Sequence, residues 1–430
     1  MTAERTNWAG HHTFRAARYH EPASVAEIQT IVQKSQKVRA VGSGHSFHDL
    51  ADTPGDLISL ARLPPSMTVD AAAQTVTFSG GMTYGQLCQP LHAAGYALHN
   101  MASLPHITVA GAIATATHGS GDGNGNLATA VTALEFVAAD GTLVTLTRAE
   151  HGDHFAGAVV HLGGLGVITK LTLAIQPAFV MQQEVYEGLP LSQLAEHFAA
   201  ITAEAYSVSL FIDWQQEYVN QVWLKRRLSG EAALTVAPTW LAATHAPCNR
   251  HPLLALPAEP CTPQLGLPGP WHERLPHFRV DHTPASGNEL QTEYFVPRHH
   301  AVAAMRAMLT LRKQLAPVLL ISEVRTIAAD TLWMSPCYEQ ACIGIHFSWQ
   351  KDWPAVQAVL PLVEEQLAPF QPRPHWGKLF TMRPAHFHPH FARLADFRAL
   401  LQHYDPQGKF RNAFLDTHIF AVPSDIDHRL

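Results

Sequence analysis

Charge is scarce in this chain. Only 15% of its 430 residues are Asp, Glu, Lys or Arg, and the formal net charge is -6. No run gathers the 29 Lys and Arg residues into a patch, so electrostatics offers no case for a nucleic acid or an anionic membrane as partner. Long apolar runs are missing too. The longest small-residue stretch, ITVAGAIATATHG, is too short and too polar at its end to span a bilayer. MTAERTNWAG lacks the apolar core of a signal peptide, so none is expected. The five cysteines (Cys88, Cys248, Cys261, Cys337 and Cys342) are odd in number and form no C-x-x-C. A chain of this size needs no staples, and a reduced, cytoplasmic setting is expected. Also absent is a strand–GxGxxG–helix fingerprint with an acidic residue about 20 positions on, which argues against a nicotinamide-type Rossmann site.

What is present describes a well-packed globular protein, 47% hydrophobic, long enough to expect two domains. Up to about residue 177, short apolar runs alternate with glycine-rich turns. KVRAVGSG, DLISL, TVTFSGG, AVTALEFVAADGTLVTLT and GVITKLTLAIQP predict strands. SVAEIQTIVQKSQ predicts an amphipathic helix with a serine cap, and TYGQLCQPLHAAG a second helix ending at Gly95. The mixture suggests α+β rather than a doubly wound sheet. From about residue 180, AYSVSLFIDW, VNQVWLKRR, ELQTEYFVP, VLLISEVRTIA and CIGIHFSWQ alternate like strands of an antiparallel sheet. Two helices are expected between them, HAVAAMRAMLTLRKQLA and WPAVQAVLPLVEEQLAPF. Residues 228–276 hold nine prolines and are expected to be a long surface insertion. The tail FARLADFRALLQHYDPQGKFRNAFL predicts a helix, a turn and an extended end. Histidine is frequent, at 28, but HFHPHF (386–391) lacks a carboxylate or cysteine partner and is expected to be a solvated turn, with no metal site.

Four glycine-rich segments, Gly42–Gly44, Gly80–Gly81, Gly111–Gly121 and Gly163–Gly166, could converge backbone N–H groups on a diphosphate, although tight turns alone also use glycine. The first carries His45 at its tip, where a phosphate cradle has no need of an imidazole. VGSGHSF, ASLPHITVAGAIATATHGSG, LGGLGVIT and RPHWGK occur in this order, and together they resemble the flavoproteins of the vanillyl-alcohol oxidase and p-cresol methylhydroxylase superfamily. TNWAG, LHNMASLPHI, AYSVSLF, VWLKRR, GPWHERLPHF and DPQGKFRNAF make the alditol (xylitol or sorbitol) oxidase branch the most similar, over nearly the whole chain.

This resemblance implies a two-domain α+β fold. An FAD-binding domain would occupy residues 1–177, a substrate-binding domain 178–370 with the insertion 228–276, and a segment 371–430 would complete the active site and return to the FAD domain. It implies FAD bound covalently to His45 through the 8α-methyl group; a neutral imidazole is a competent nucleophile. Val41, Gly42, Ser43, Gly44, Ser46 and Phe47 would hold the cofactor from the first loop. Ser103, Thr108, Gly111, Thr115, Thr117, His118 and Gly119 would do so from the second, with Gly166, Ile168 and His375 beyond. Cys88 lies mid-helix without the motif of doubly linked relatives and is expected to serve packing.

Residues two apart on a strand share a face, so Glu323 and Arg325 point one way, and so do His346 and Ser348. Alone, that pattern also fits a solvated Glu–Arg pair. The resemblance instead implies that Ser103, Glu323, Arg325, His346, Ser348 and Lys378 line a substrate cavity, with threonine common in relatives where this chain has Ser348. The implied chemistry is oxidation of a terminal CH2–OH by hydride transfer to flavin N5, with O2 as acceptor, H2O2 as product, and Ala102 leaving room for oxygen. Arg325 and Lys378 would stabilise alkoxide, His346 would accept the proton by its ordinary pKa, with a lysine or a glutamate as the alternative base, and Glu323 would bind the neighbouring hydroxyls with Ser103 and Ser348. The alternatives are an aldonolactone oxidase of the same superfamily, a dehydrogenase with another acceptor, or a non-catalytic binder. The expected partners are a small polyol and O2, and nothing demands more than a monomer.

Overall fold

In the computed structural model, which describes residues 5–230, 233–253, 255–282 and 287–421, the first expected helix spans Val25–Lys34, and Ser24 caps it by accepting from the Glu27 N–H. Ile28 and Val32, one turn apart, are buried against Val38, Ile58, Val137 and Val167, as an apolar stripe of helical spacing requires. Arg18–His20, Asp56–Ser59 and Val38–Val41 make a small parallel sheet with Asp56–Ser59 in its centre. Next comes an antiparallel five-stranded sheet, ordered 67–70, 75–79, 167–174, 131–137 and 143–147. The helix Tyr84–Ala93 carries a capping box between Thr83 and Gln86.

Tyr96–Ala97 and Gln176–Pro177 make a two-stranded antiparallel pair, and the remaining strands form one ten-stranded sheet, paired antiparallel throughout. Its central strands run in the order Val180–Pro190, Tyr218–Arg227, Ser207–Ile212, Leu319–Ile327, Cys342–Gln350 and Glu289–Pro297. Five of these six are the strands the alternation predicts. The sixth, Val180–Pro190, escapes that rule because Gln182, Gln183 and Glu184 are consecutive polar residues, yet all three are buried. The helix expected from HAVAAMRAMLTLRKQLA divides into Ala301–Thr310 and Arg312–Leu315, while Trp353–Leu367 is continuous with Asp352 as its cap.

Three expectations need correction. The insertion is more than a surface loop: Thr239–Trp240, Ala243–His245 and Gly269–Pro270 add to the large sheet, and Trp271 is completely buried. Residues 231, 232 and 254 of it lie outside the described residues, as do 422–430 of the expected C-terminal segment. The tail is not extended after its helix Leu394–Tyr404 but turns helically through Ala413–Leu415 and Asp416–Phe420. HFHPHF is not a solvated turn, because Phe387 and Phe391 bury themselves beside Trp376.

Candidate active site

The register of three neighbouring strands assembles the site. Glu323 stands opposite His346, and His346 opposite Glu293, so that one row crosses the sheet as Glu323–His346–Glu293. One step along, Ile321, Ser348 and Gln291 form the next row. Glu323, Arg325, His346 and Ser348 are only 5% to 8% exposed, which excludes the solvated outer face. Lys378 reaches the same place from the turn after Arg373–Pro374, and its backbone N–H is fixed on the His375 carbonyl.

Glu293 is the hub. Its Oε1 accepts from Arg325 Nη2 at 3.2 Å and lies 3.0 Å from His118 Nε2, while Oε2 accepts from Lys378 Nζ at 2.7 Å. Burial by itself would raise the Glu293 carboxyl; Lys378, His118 and Arg325 overcome it and hold the group well below the usual range. Glu323 behaves alike: burial opposes ionisation, but Arg325 and His277 keep it a carboxylate. Burial and the nearby Lys378 push His346 far below 6.5, so it is neutral. Buried ion pairs hold together only when geometry and hydrogen bonding are both satisfied, and here two carboxylates face two cations. His118, Glu293 and His375 offer ligand atoms within 4.8 Å of one another, but both Glu293 oxygens are already engaged by the two cations.

Three of the four glycine-rich segments, at Gly42–Gly44, Gly111 and Gly163, close the other wall, whereas Gly80 and Gly81 pack on the Ile168 and Leu60 carbonyls. Gly44 takes a left-handed backbone (φ +66°), which presents His45 beneath Trp8 with ring centroids 4.2 Å apart. A side chain at Gly42 would collide with Thr108 Oγ1, so glycine there permits close packing of two cofactor-facing segments. Between this wall and the sheet lies a cavity of about 380 Å³. Val41, Gly42, Ser43, Gly44, His45, Ser46 and Phe47 line it, and so do Ser103, Thr108, Gly111, Thr115, Thr117, His118 and His375. On the sheet side Glu323, Arg325, His346, Ser348 and Lys378 line the same space. Thr108 Oγ1, Arg39 Nε and His346 Nε2 are buried with no hydrogen-bond partner among the described residues, and all three residues border the cavity. Buried polar atoms require partners, so this wall suits a long ligand rich in polar groups, as FAD is.

Two sequence profiles match the chain: one described as FAD binding domain at residues 16–147, and one described as D-arabinono-1,4-lactone oxidase at residues 285–418. An alditol oxidase of Streptomyces sp. (strain IKD472 / FERM P-14339) is 48% identical over 418 residues, covering 96% of this chain and 99% of its own. The chain belongs to the alditol oxidase family. Lactone-oxidising relatives are more distant: an L-gulonolactone oxidase of Mus musculus is 28% identical, over 95% of this chain and 97% of its own. Among solved structures, a solvent-stable cholesterol oxidase superposes with a TM-score of 0.77 at 16% identity, covering 96% of this chain and 97% of that one. That likeness concerns the fold, an FAD-linked oxidase architecture with a large antiparallel sheet.

In this alditol oxidase family member, three expected cofactor residues lie off the cavity wall. Gly119 packs on the Asn100 side chain and the Met101 carbonyl, and Gly166 on the Val137 carbonyl, while Ile168 faces the hydrophobic core. Cys88 is a buried core residue whose thiol burial pushes far up. Other residues escaped the sequence reading. Glu289, Gln291 and Glu293 line the cavity, and their spacing of two along ELQTEYFVP was the available signal. His251, Pro252, Leu253 and His277 come from the insertion and its exit, a stretch whose composition carries no periodicity to read.

Proposed function

We propose that this FAD-dependent enzyme oxidises the terminal CH2–OH of alditols, xylitol and sorbitol among them, to the aldose, with O2 reduced to H2O2. The buried polar row carries this reading. Ser103, Glu323, Arg325, His346, Ser348 and Lys378 face one cavity, an array of donors and acceptors suited to an uncharged polyol whose hydroxyls need partners once out of water.

FAD, when bound, supplies the hydride acceptor and passes the electron pair on to O2. We assign its holding to Val41–Phe47, Thr108, Gly111, Thr115, Thr117, His118 and His375, and its covalent attachment to His45. Burial, with Lys378 nearby, pushes His45 down to about 4, so the imidazole is neutral and nucleophilic at pH 7. Arg325 and Lys378 stabilise the developing alkoxide, and Glu293 anchors both. Glu323, Ser103 and Ser348 bind the adjacent hydroxyls and fix the terminal carbon.

His346 takes the hydroxyl proton. Its ordinary pKa is no longer the reason, since burial has lowered it; its place is. It stands between Glu293 and Glu323, whose carboxylates favour the imidazolium formed on proton transfer and partly offset the burial and Lys378 that oppose it. Residues 1–177 and 371–430 serve the cofactor in this reading, and 178–370 the substrate. Ala102, on the cavity wall, leaves room for O2. The free thiols of all five cysteines support a cytoplasmic setting, and no helix among the described residues is long and apolar enough to cross a membrane.

Anaerobic mixing with xylitol tests the reading: the flavin's visible absorption should bleach, and persistent colour with every alditol would refute it. Denaturation should leave FAD on the wild-type chain and release it from His45→Ala; equal release from both would refute the covalent link.

A further inference from the structure

Glu323 has a second buried partner that the chemistry above does not use. His277 Nε2 lies 2.8 Å from Glu323 Oε1, and His277 Nδ1 lies 3.1 Å from Lys225 Nζ. Lys225 is 1% exposed and His277 5%. Lys225 Nζ also donates to the carbonyls of Leu275 at 2.5 Å and Pro276 at 3.0 Å. The imidazole is braced edge-on by Phe211 and Trp223, with centroids 5.6 and 5.1 Å away, and the His277 backbone N–H donates to the Ser103 carbonyl. Three elements therefore converge on one chain of contacts: the Tyr218–Arg227 strand, the exit of the insertion and the Leu319–Ile327 strand.

An ammonium has three protons and no lone pair. With two of them on the Leu275 and Pro276 carbonyls, the third meets His277 Nδ1, which must then accept. The ring proton is left on Nε2, aimed at Glu323. We propose that Lys225 and His277 are positioning residues for alditol binding: Lys225 anchors the His277 ring at Nδ1 with its Nε2–H toward Glu323, and that N–H holds Glu323 Oε1 so that Oε2, 3.5 Å from Arg325 Nε, is turned to a substrate hydroxyl. The proposal rests on the reading that Glu323 binds the alditol.

Its consequence is a pH-dependent affinity. Burial pushes Lys225 down to about 7; Glu323 and Cys261 oppose that shift, whereas Arg325 and Arg274 reinforce it, and His277 is a further titratable neighbour, in direct contact. Above that pH the amine is neutral. The Glu323 carboxylate still requires a proton on Nε2, but the charge-assisted bond that anchors the ring at Nδ1 is gone and alditol binding loosens.

The test is KM for xylitol against pH on the holoenzyme, for wild type, Lys225→Met and His277→Gln. Losing a hydrogen bond to a charged group predicts a wild-type KM that rises about tenfold as pH increases through 7, with kcat changing less. Lys225→Met should show the high KM at every pH. The His277→Gln amide offers a donor where Nε2–H was, so its KM should return to within about threefold of the low-pH wild-type value, without the pH step. A flat wild-type profile, or a step that persists in Lys225→Met, would overturn the proposal. If Lys225→Met does not fold, the wild-type profile and His277→Gln decide the matter. Wild-type enzyme that oxidises no alditol at any pH would instead overturn the functional reading beneath it, a result distinct from normal turnover with a flat KM.

Discussion

Glu293 carries the electrostatics of the site, since Arg325, Lys378 and His118 all meet its carboxylate. Glu293→Gln keeps the shape but leaves two buried cations short of a counter-charge, and breaking such a pair typically costs about 3–5 kcal/mol. A lowered melting temperature together with reduced kcat is the expected outcome; an unchanged melt would contradict the hub. Arg325→Ala should lower kcat by about 100- to 1,000-fold if Arg325 stabilises alkoxide, measured by steady-state oxygen uptake, whereas normal turnover would remove that role. At this scale the sequence was informative wherever periodicity applied. Glu323, Arg325, His346 and Ser348 follow from alternation on two strands. Their membership of one wet wall does not, because strand register is set by distant pairings such as Glu323 with His346 and His346 with Glu293. His277 was illegible because its position depends on an irregular loop rather than on a repeat.

Among the elements, the long alternating strands and the capped helices were legible, since side-chain period and cap chemistry are local. Val180–Pro190 was not, because its polar residues are buried by tertiary partners: Glu184 by Arg226, for example. The insertion was misjudged for a related reason. Proline removes regular structure without preventing burial, and here an irregular segment folds over the cavity with Trp271 as its anchor. Trp271→Ala should cost about 3–5 kcal/mol by cavity formation, and loosening of the cover should raise KM for an alditol more than it lowers kcat. Parallel melts and steady-state kinetics check both; an unchanged melt would show that the insertion is held by other contacts.

On the scale of the molecule, a glycine-rich wall and a polar sheet face enclose one cavity, and buried histidines on and behind these walls are neutral. His161, through burial and the neighbouring Arg39, is pushed down to about 3, and His277, through burial and Lys225, to about 4. The unfolded chain takes up those protons below its ordinary value of about 6.5, whereas the fold refuses them until much lower pH. Stability should therefore fall as pH drops from about 6.5 toward 4, by up to about 1.4 kcal/mol per pH unit for each such group. Glu293, held well below 4.5, keeps its contribution down to about pH 4.5 and loses it progressively below that. Urea midpoints near pH 7.5 and pH 5 check this, and equal midpoints would contradict it. The central claim is the substrate class, because a lactone-oxidising relative matches over 95% of this chain and 97% of its own. The most direct measurement is oxygen uptake by the purified protein with xylitol and sorbitol, against an aldonolactone. Uptake with the polyols, matched by equimolar H2O2, is the expected result; uptake with the lactone alone, or with neither, would contradict it.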